Sequence, residues 1–295
     1  MPRLARVVLV SSVAGIVFAG PATVAATAAT ASAASAQAGP AGVAAGAAAI
    51  EDAGNGTILW SRDLNTERPL ASITKVMTAL VVLRAGGLND RLRVPSAVTG
   101  YVDKYDASTA GLVPGDTLTV TQLLYAMLLP SGADAAYTLA QAYGPGLPAF
   151  VSKMNATARA LGMTRTHFAN PDGLPYPGGW SDYSTAADLL TLGRAAMRWS
   201  AFRQVVGARS YHVSAGDGHH AYTWGNLNPL LGHYPGTLGI KTGWTPDAGH
   251  CLLFEVTEGG ITLIGVTLDA PGQGSTVNAT APTALLNWAY LQPGL

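Results

Sequence analysis

Residues 47–51 and 57–61 are two short apolar runs parted by Asp52-Ala-Gly-Asn-Gly56, and that turn chemistry predicts a β-hairpin. From Ser72 to Arg84 almost every residue after Lys75 is apolar, until Gly86-Gly87 stops the run. The pattern predicts a helix buried on most sides. Residues 121–129 and 133–143 predict two further helices separated by Pro130-Ser131-Gly132, and Phe150, Met154 and Leu161 mark the apolar face of another that ends at Gly162. Thr185-Ala-Ala-Asp188 has the spacing of a capping box ahead of a helix reaching Met197. β-Rich runs return at 237–243, 251–257 and 261–269, joined by turn signals into an antiparallel meander. A helix over 283–290, with Pro282 in its first turn, follows them. This order predicts an α+β chain: one antiparallel sheet assembled from both ends and flanked by helices, with a large helical insertion at about residues 76–205.

The first fifty residues follow a different pattern. Arg3 and Arg6 precede an uncharged stretch with an apolar core at 7–19 and small residues beyond it. This is the plan of a secretory signal, and the core is short of the ~20 residues a bilayer span needs. Cleavage after Ala31-Ser-Ala33 or Ala34-Ser-Ala36 divides the chain into a signal at 1–36, an Ala-rich linker at 37–43 and a domain at 44–292. An uncleaved anchor is the alternative, so membrane contact is expected only through this segment. The apolar stretch at 284–290 leaves no room for a basic amphipathic anchor after it. The 295 residues hold 17 Lys+Arg against 17 Asp+Glu, which excludes the basic field of a nucleic-acid binder. With 48% hydrophobic and 12% charged residues, a disordered, charge-solvated chain is excluded too. Cys251 is the only cysteine, so neither an internal disulfide nor a cysteine metal cage is available.

Lysine is scarce: Lys75, Lys104, Lys153 and Lys241 are the only four. Ser72-Ile-Thr-Lys75 sets a hydroxyl and an amine at i and i+3 at the start of the apolar helix, on one face and within reach of each other. A serine hydroxyl becomes a nucleophile when a base takes its proton, and lysine serves as that base when burial or another cation lowers its pKa. The alternative is a capping serine followed by a surface lysine. Lys241-Thr-Gly243 offers a second cation, a hydroxyl donor for a carboxylate, and a glycine that lets a substrate backbone approach a strand. An edge strand guarded by a lysine would read the same way. Ser131-Gly132-Ala133 stands at a helix junction and is equally compatible with a plain turn.

Taken jointly, Ser-x-x-Lys, Ser-Gly-Ala and Lys-Thr-Gly in this order resemble the D-alanyl-D-alanine carboxypeptidases, the low-molecular-weight penicillin-binding proteins, and most of all their short single-domain actinobacterial members. The resemblance extends over about residues 44–292. It includes Leu70-Ala-Ser-Ile-Thr-Lys-Val-Met-Thr-Ala79, the run from Leu123 to Ala136, Leu161-Gly-Met163, Thr166-His-Phe168, Asn170-Pro-Asp-Gly173, Tyr183-Ser-Thr185 and Ala248-Gly-His-Cys-Leu252. It implies a β-lactamase/transpeptidase-like fold and a serine-type peptidase without cofactor or metal. Its partners would be peptidoglycan stem peptides ending in D-Ala-D-Ala, and β-lactams would be covalent inhibitors. It implies Ser72 as nucleophile, Lys75 as general base and Ser131 as proton relay to the leaving D-Ala. Lys241 would lower the pKa of Lys75 and attract the substrate carboxylate, Thr242 would bind that carboxylate, and Gly243 would complete the strand motif. The backbone N–H groups of Ser72 and Trp244 would form the oxyanion hole. The family's second motif usually ends in Asn where this chain has Ala133, which removes one polar contact worth about 1–3 kcal/mol. Acylation is expected to survive that loss.

The implied setting is secreted, at the cell wall. D,D-transpeptidase or D,D-endopeptidase action on cross-links is the alternative chemistry, and a non-catalytic wall-binding protein the alternative class. A class A β-lactamase shares two of the motifs but needs a Glu to activate the deacylating water, and there is no Glu between Asp106 and Phe254. His212, His219, His220 and Asp217 sit among glycines at an expected hairpin tip and do not predict a metal site. Cys251 opens a strand and is expected to be a core residue.

Overall fold

The computed structural model describes residues 39–293, which fall in one compact unit. The signal assigned to residues 1–36 and the start of the linker lie outside the described residues. Five strands make the central sheet: β1 (Ala47–Asp52), β2 (Ile58–Arg62), β9 (Thr237–Thr245), β10 (Gly249–Glu258) and β11 (Ile261–Ala270). Their order is β2-β1-β11-β10-β9 with every pairing antiparallel, so both ends of the chain build the sheet, as expected. Alternation along β1 explains why it reads as a continuous alanine run. Ala47 and Ala49 face the main core, while Ala48 and Ile50 face a second core under α8 (Thr280–Ala289). A sheet covered on both faces needs apolar residues at successive positions. Helix α8 starts three residues before the expected 283, with Pro282 inside its first turn. Val43, in the segment assigned to the linker, is buried in the core under α8.

Seven helices lie between β2 and β9. Helix α1 (Thr74–Ala85) is buried from Thr74 to Leu83 and packs against α3 (Val120–Leu128), α4 (Ala133–Tyr143), α5 (Leu147–Ala160) and α6 (Ala186–Met197). Helix α6 in turn covers the inner face of β1, β10 and β11. Thr185 caps α6 by accepting from the Asp188 N–H at 3.1 Å. The reciprocal half of the box is missing, because the Asp188 carboxylate accepts from Arg165 N and Thr166 Oγ1 instead. A complete capping box stands at Thr119 and Gln122 and opens α3. Helices α2 (Ala97–Tyr105) and α7 (Ser200–Val206) are additions to the sequence expectation. So are three short ribbons: β3 (Arg68–Pro69) with β6 (Tyr183–Ser184), β4 (Arg91–Arg93) with β5 (Thr117–Thr119), and β7 (Ser210–Val213) with β8 (Tyr222–Gly225). Among the described residues no helix is long and apolar enough to cross a membrane.

Cys251 is fully buried and its thiol is pushed up to about 12, first by burial, which suits a core residue. The β7–β8 hairpin turns His220 toward Asp116, with Nδ1 3.0 Å from the carboxylate. Among the described residues no cluster of His, Cys, Asp or Glu could hold a metal.

Candidate active site

Ser72 lies in a single 3₁₀ turn, 71–73, that leads into α1. Ala71 before it has φ +47°, a left-handed backbone that a non-glycine residue adopts at a cost of about 1–3 kcal/mol where surrounding structure holds it. What holds it is close packing against edge strand β9. A Cβ on Gly243 would stand 2.9 Å from Leu70 O and 3.2 Å from Ser72 N. The glycine of Lys241-Thr-Gly243 therefore admits the protein's own nucleophile-bearing turn, and it also lines the cavity.

Ser72, Ser131, Thr242, Gly243 and Trp244 line one cavity of about 90 Å³. Lys75 and Lys241 lie behind it, each 1% exposed. Lys75 Nζ donates to Ser72 Oγ at 2.9 Å and to the Asp172 carbonyl at 2.8 Å. Burial lowers Lys75 to about 8, partly opposed by the charges of Asp172, Asp134 and Asp182 in that order. Desolvation, rather than the charge of Lys241, is thus the main reason this amine can act as a base, which corrects the expected cause. Lys241 is itself held well below the usual lysine range, first by burial and then by the charge of Lys75. Its Nζ donates to the Thr242 carbonyl at 3.0 Å and makes no ion pair among the described residues. Burial also removes the edge-guard reading of Lys241, since a guarding lysine must reach solvent.

Ser131, between α3 and α4, has φ +69° and its hydroxyl makes no hydrogen bond among the described residues. The next helix begins at Ala133, which is buried and donates its N–H to the Ser108 carbonyl at 2.8 Å. Loop 108–112 therefore forms the wall beside Ala133. The neighbouring Asp134 holds this loop, accepting from Thr109 Oγ1 at 2.6 Å and from Ala110 N and Leu112 N, both at 3.0 Å. Asp134→Ala is expected to remove about 3 kcal/mol of stability, because two buried N–H groups lose a charged acceptor. It should also slow acylation at least tenfold by freeing that wall. Denaturant unfolding and penicillin acylation would measure the two effects.

Several contributors were not assigned from sequence. Ser108, Leu227, Ser275 and Val277 also line the cavity. The loop bearing Ser275 and Val277 is held by buried His250, whose Nε2 lies 2.9 Å from the Gly274 carbonyl. Behind Lys75, Asn170-Pro-Asp-Gly173 forms a tight turn in which Asn170 Oδ1 accepts from the N–H groups of Asp172, Gly173 and Leu174. The motif was visible in the sequence, but its contact with the lysine was not. Trp244 is 37% exposed at the rim, whereas Tyr176 packs on Tyr105 away from the cavity.

A family model described as D-alanyl-D-alanine carboxypeptidase matches residues 31–272. The chain is 42% identical over 227 residues to the D-alanyl-D-alanine carboxypeptidase of Streptomyces sp. strain K15, covering 73% of this chain and 77% of that one. It is 39% identical over 242 residues to D-alanyl-D-alanine carboxypeptidase DacB2 of Mycobacterium tuberculosis, covering 82% and 80% of the two chains. The crystal structure of the Streptomyces K15 DD-transpeptidase aligns with a TM-score of 0.77 at 37% identity, over 85% of this chain and 98% of that one.

Proposed function

The chain belongs to the D-alanyl-D-alanine carboxypeptidase family, and from that premise we propose how its own residues divide the work. The family is enzymatic, acts on peptidoglycan peptides ending in D-Ala-D-Ala, binds β-lactams and works outside the cytoplasm. The single observation that carries the assignment of residues is the 2.9 Å contact between Lys75 Nζ and Ser72 Oγ at a buried, pKa-lowered amine.

In its neutral form Lys75 accepts the Ser72 proton as Oγ attacks the carbonyl carbon of the penultimate D-Ala. The N–H groups of Ser72 and Trp244 stabilise the oxyanion. Ser131 passes the proton from Lys75 to the departing amine as the C–N bond breaks, releasing D-Ala and leaving an ester on Ser72. Water then attacks that ester, losing its proton to the same base and regenerating the hydroxyl. Thr242 and Lys241 take the substrate's terminal carboxylate, with Gly243 keeping that strand against the Ser72 turn. A carboxylate there supplies the counter-ion that Lys241 lacks, so substrate binding favours its ammonium form. Residues 1–36 act as an export signal in this reading, and β-lactams acylate Ser72 by the same attack.

Incubation with a stem pentapeptide is the test, with D-Ala release and any amine-transfer product measured, alongside intact mass after penicillin treatment. Free D-Ala in excess of transfer product is expected. Predominant transfer would make the protein a transpeptidase, and no reaction of either kind would leave a wall-binding protein. The base must be unprotonated to act, so with Lys75 at about 8 the acylation rate should rise with pH through that value. Well below it, each unit of pH should cost roughly tenfold in rate. A flat profile from pH 6 to 9 would remove Lys75 from the role of base.

A further inference from the structure

Loop 170–182 brings two acids into the protein behind the base. Asp172 is fully buried and Asp182 is 3% exposed. The carboxylates are held differently. Tyr101, from α2, donates its hydroxyl to Asp172 Oδ2 at 2.9 Å, and Leu174 N donates to Oδ1 at 3.3 Å. Asp182 receives Asn170 Nδ2 at 2.6 Å and Ala169 N at 3.3 Å. The turn itself is pinned to α1, with Thr78 Oγ1 donating to the Pro171 carbonyl at 2.6 Å. The result is a chain of contacts from Tyr101 through the Asp172 side chain and its main chain to Lys75 Nζ.

We propose that Asp172 is a positioning residue of the reaction, whose carbonyl holds Lys75 against Ser72 and whose clamped carboxylate sets how readily that amine keeps its proton. This rests on the reading of Lys75 as the base. The need for such a device follows from Ala133. With a methyl where the family usually has a carboxamide, the lysine's hydrogen-bond partners among the described residues are Ser72 Oγ and the Asp172 carbonyl. Two partners fix the direction of the amine, and an adjacent anion offsets part of its desolvation.

The groups facing Lys75 come from four elements: Ser72 in its own turn, Asp134 on α4, Lys241 on β9, and Asp172 and Asp182 on the loop. Of the two loop acids, Asp182 is held well above the usual carboxylate range, by burial and then by the charge of Asp172. Asp172 is also raised by burial, but Lys75 and the Tyr101 hydroxyl oppose that shift. Of the acids around Lys75, Asp172 is the one whose charge acts on the lysine most.

Asp172→Asn and Asp172→Ser both remove the charge and keep the carbonyl. With only four lysines, ¹³Cε-labelled protein shows few resonances, and Lys→Arg changes at positions 104, 153 and 241 assign them. The titration midpoint of Lys75, about 8 in the parent, is expected to fall by roughly one unit in the variants. The rising limb of penicillin acylation should move to lower pH by the same amount. A midpoint that stays or rises in both variants overturns the proposal. A midpoint that falls while the acylation limb stays in place supports the role of Asp172 toward the amine and overturns Lys75 as the base.

Discussion

Ser72→Ala should abolish the mass gain on penicillin treatment and lower D-Ala release on the order of 10⁴-fold or more, since no other group can form the acyl-enzyme. The change deletes one hydroxyl from a half-buried turn position, so the fold should survive with a stability change within about 0.5 kcal/mol. Lys75 keeps its bond to the Asp172 carbonyl, which leaves the base in place beside an empty methyl. Intact-mass spectrometry and a D-Ala assay on the same preparation separate the two readouts. An alanine variant that still carried one penicillin per chain would move the nucleophile elsewhere.

Gly173→Ala is expected to be the most damaging single change of comparable size. The residue has φ +81°, and a Cβ there would lie 1.8 Å from the Ala71 carbonyl oxygen and 2.8 Å from Thr74 Oγ1. Neither side of that contact can yield cheaply. Ala71 is already in a left-handed conformation directly before the nucleophile, and the glycine's own turn is tied down by three bonds to Asn170. A loss of more than about 3 kcal/mol follows from combined backbone strain and steric overlap. Whatever folds should acylate at least a hundredfold more slowly, because relief of the overlap displaces Ser72 from the lysine held by Asp172. Denaturation midpoints and acylation rates measured together would refute this if both matched the parent.

The elements legible from sequence are those whose burial leaves a periodic or continuous apolar trace. The five sheet strands and α1, α3, α4, α5, α6 and α8 belong to that group. Helix α2 left none, since Val98 is its only buried residue. Helix α7 spans only seven residues, and the ribbon strands two to four, too few for a period to emerge. The site divides in the same way. Ser72, Lys75, Ser131 and residues 241–244 stand in short motifs whose chemistry is readable residue by residue. Asp172 stands in a Pro-Asp-Gly turn, where an acid ordinarily faces water, and only packing under α1 and α2 buries it. Ser108 and Ser275 reach the cavity on loops held by Asp134 and His250, a dependence that no local pattern records.

Ala47 pairs with Leu268, so the middle of the sheet joins the two extremes of the described chain. During synthesis, β1 waits without its inner neighbour until β11 has been made, about 210 residues later. The helical block can gather local contacts in the meantime, but the core between α6 and the sheet cannot close. The contact of the nucleophile's turn with the Lys241 strand is separated along the chain in a similar way, so the catalytic cavity too is completed only by residues from the late part of the sequence.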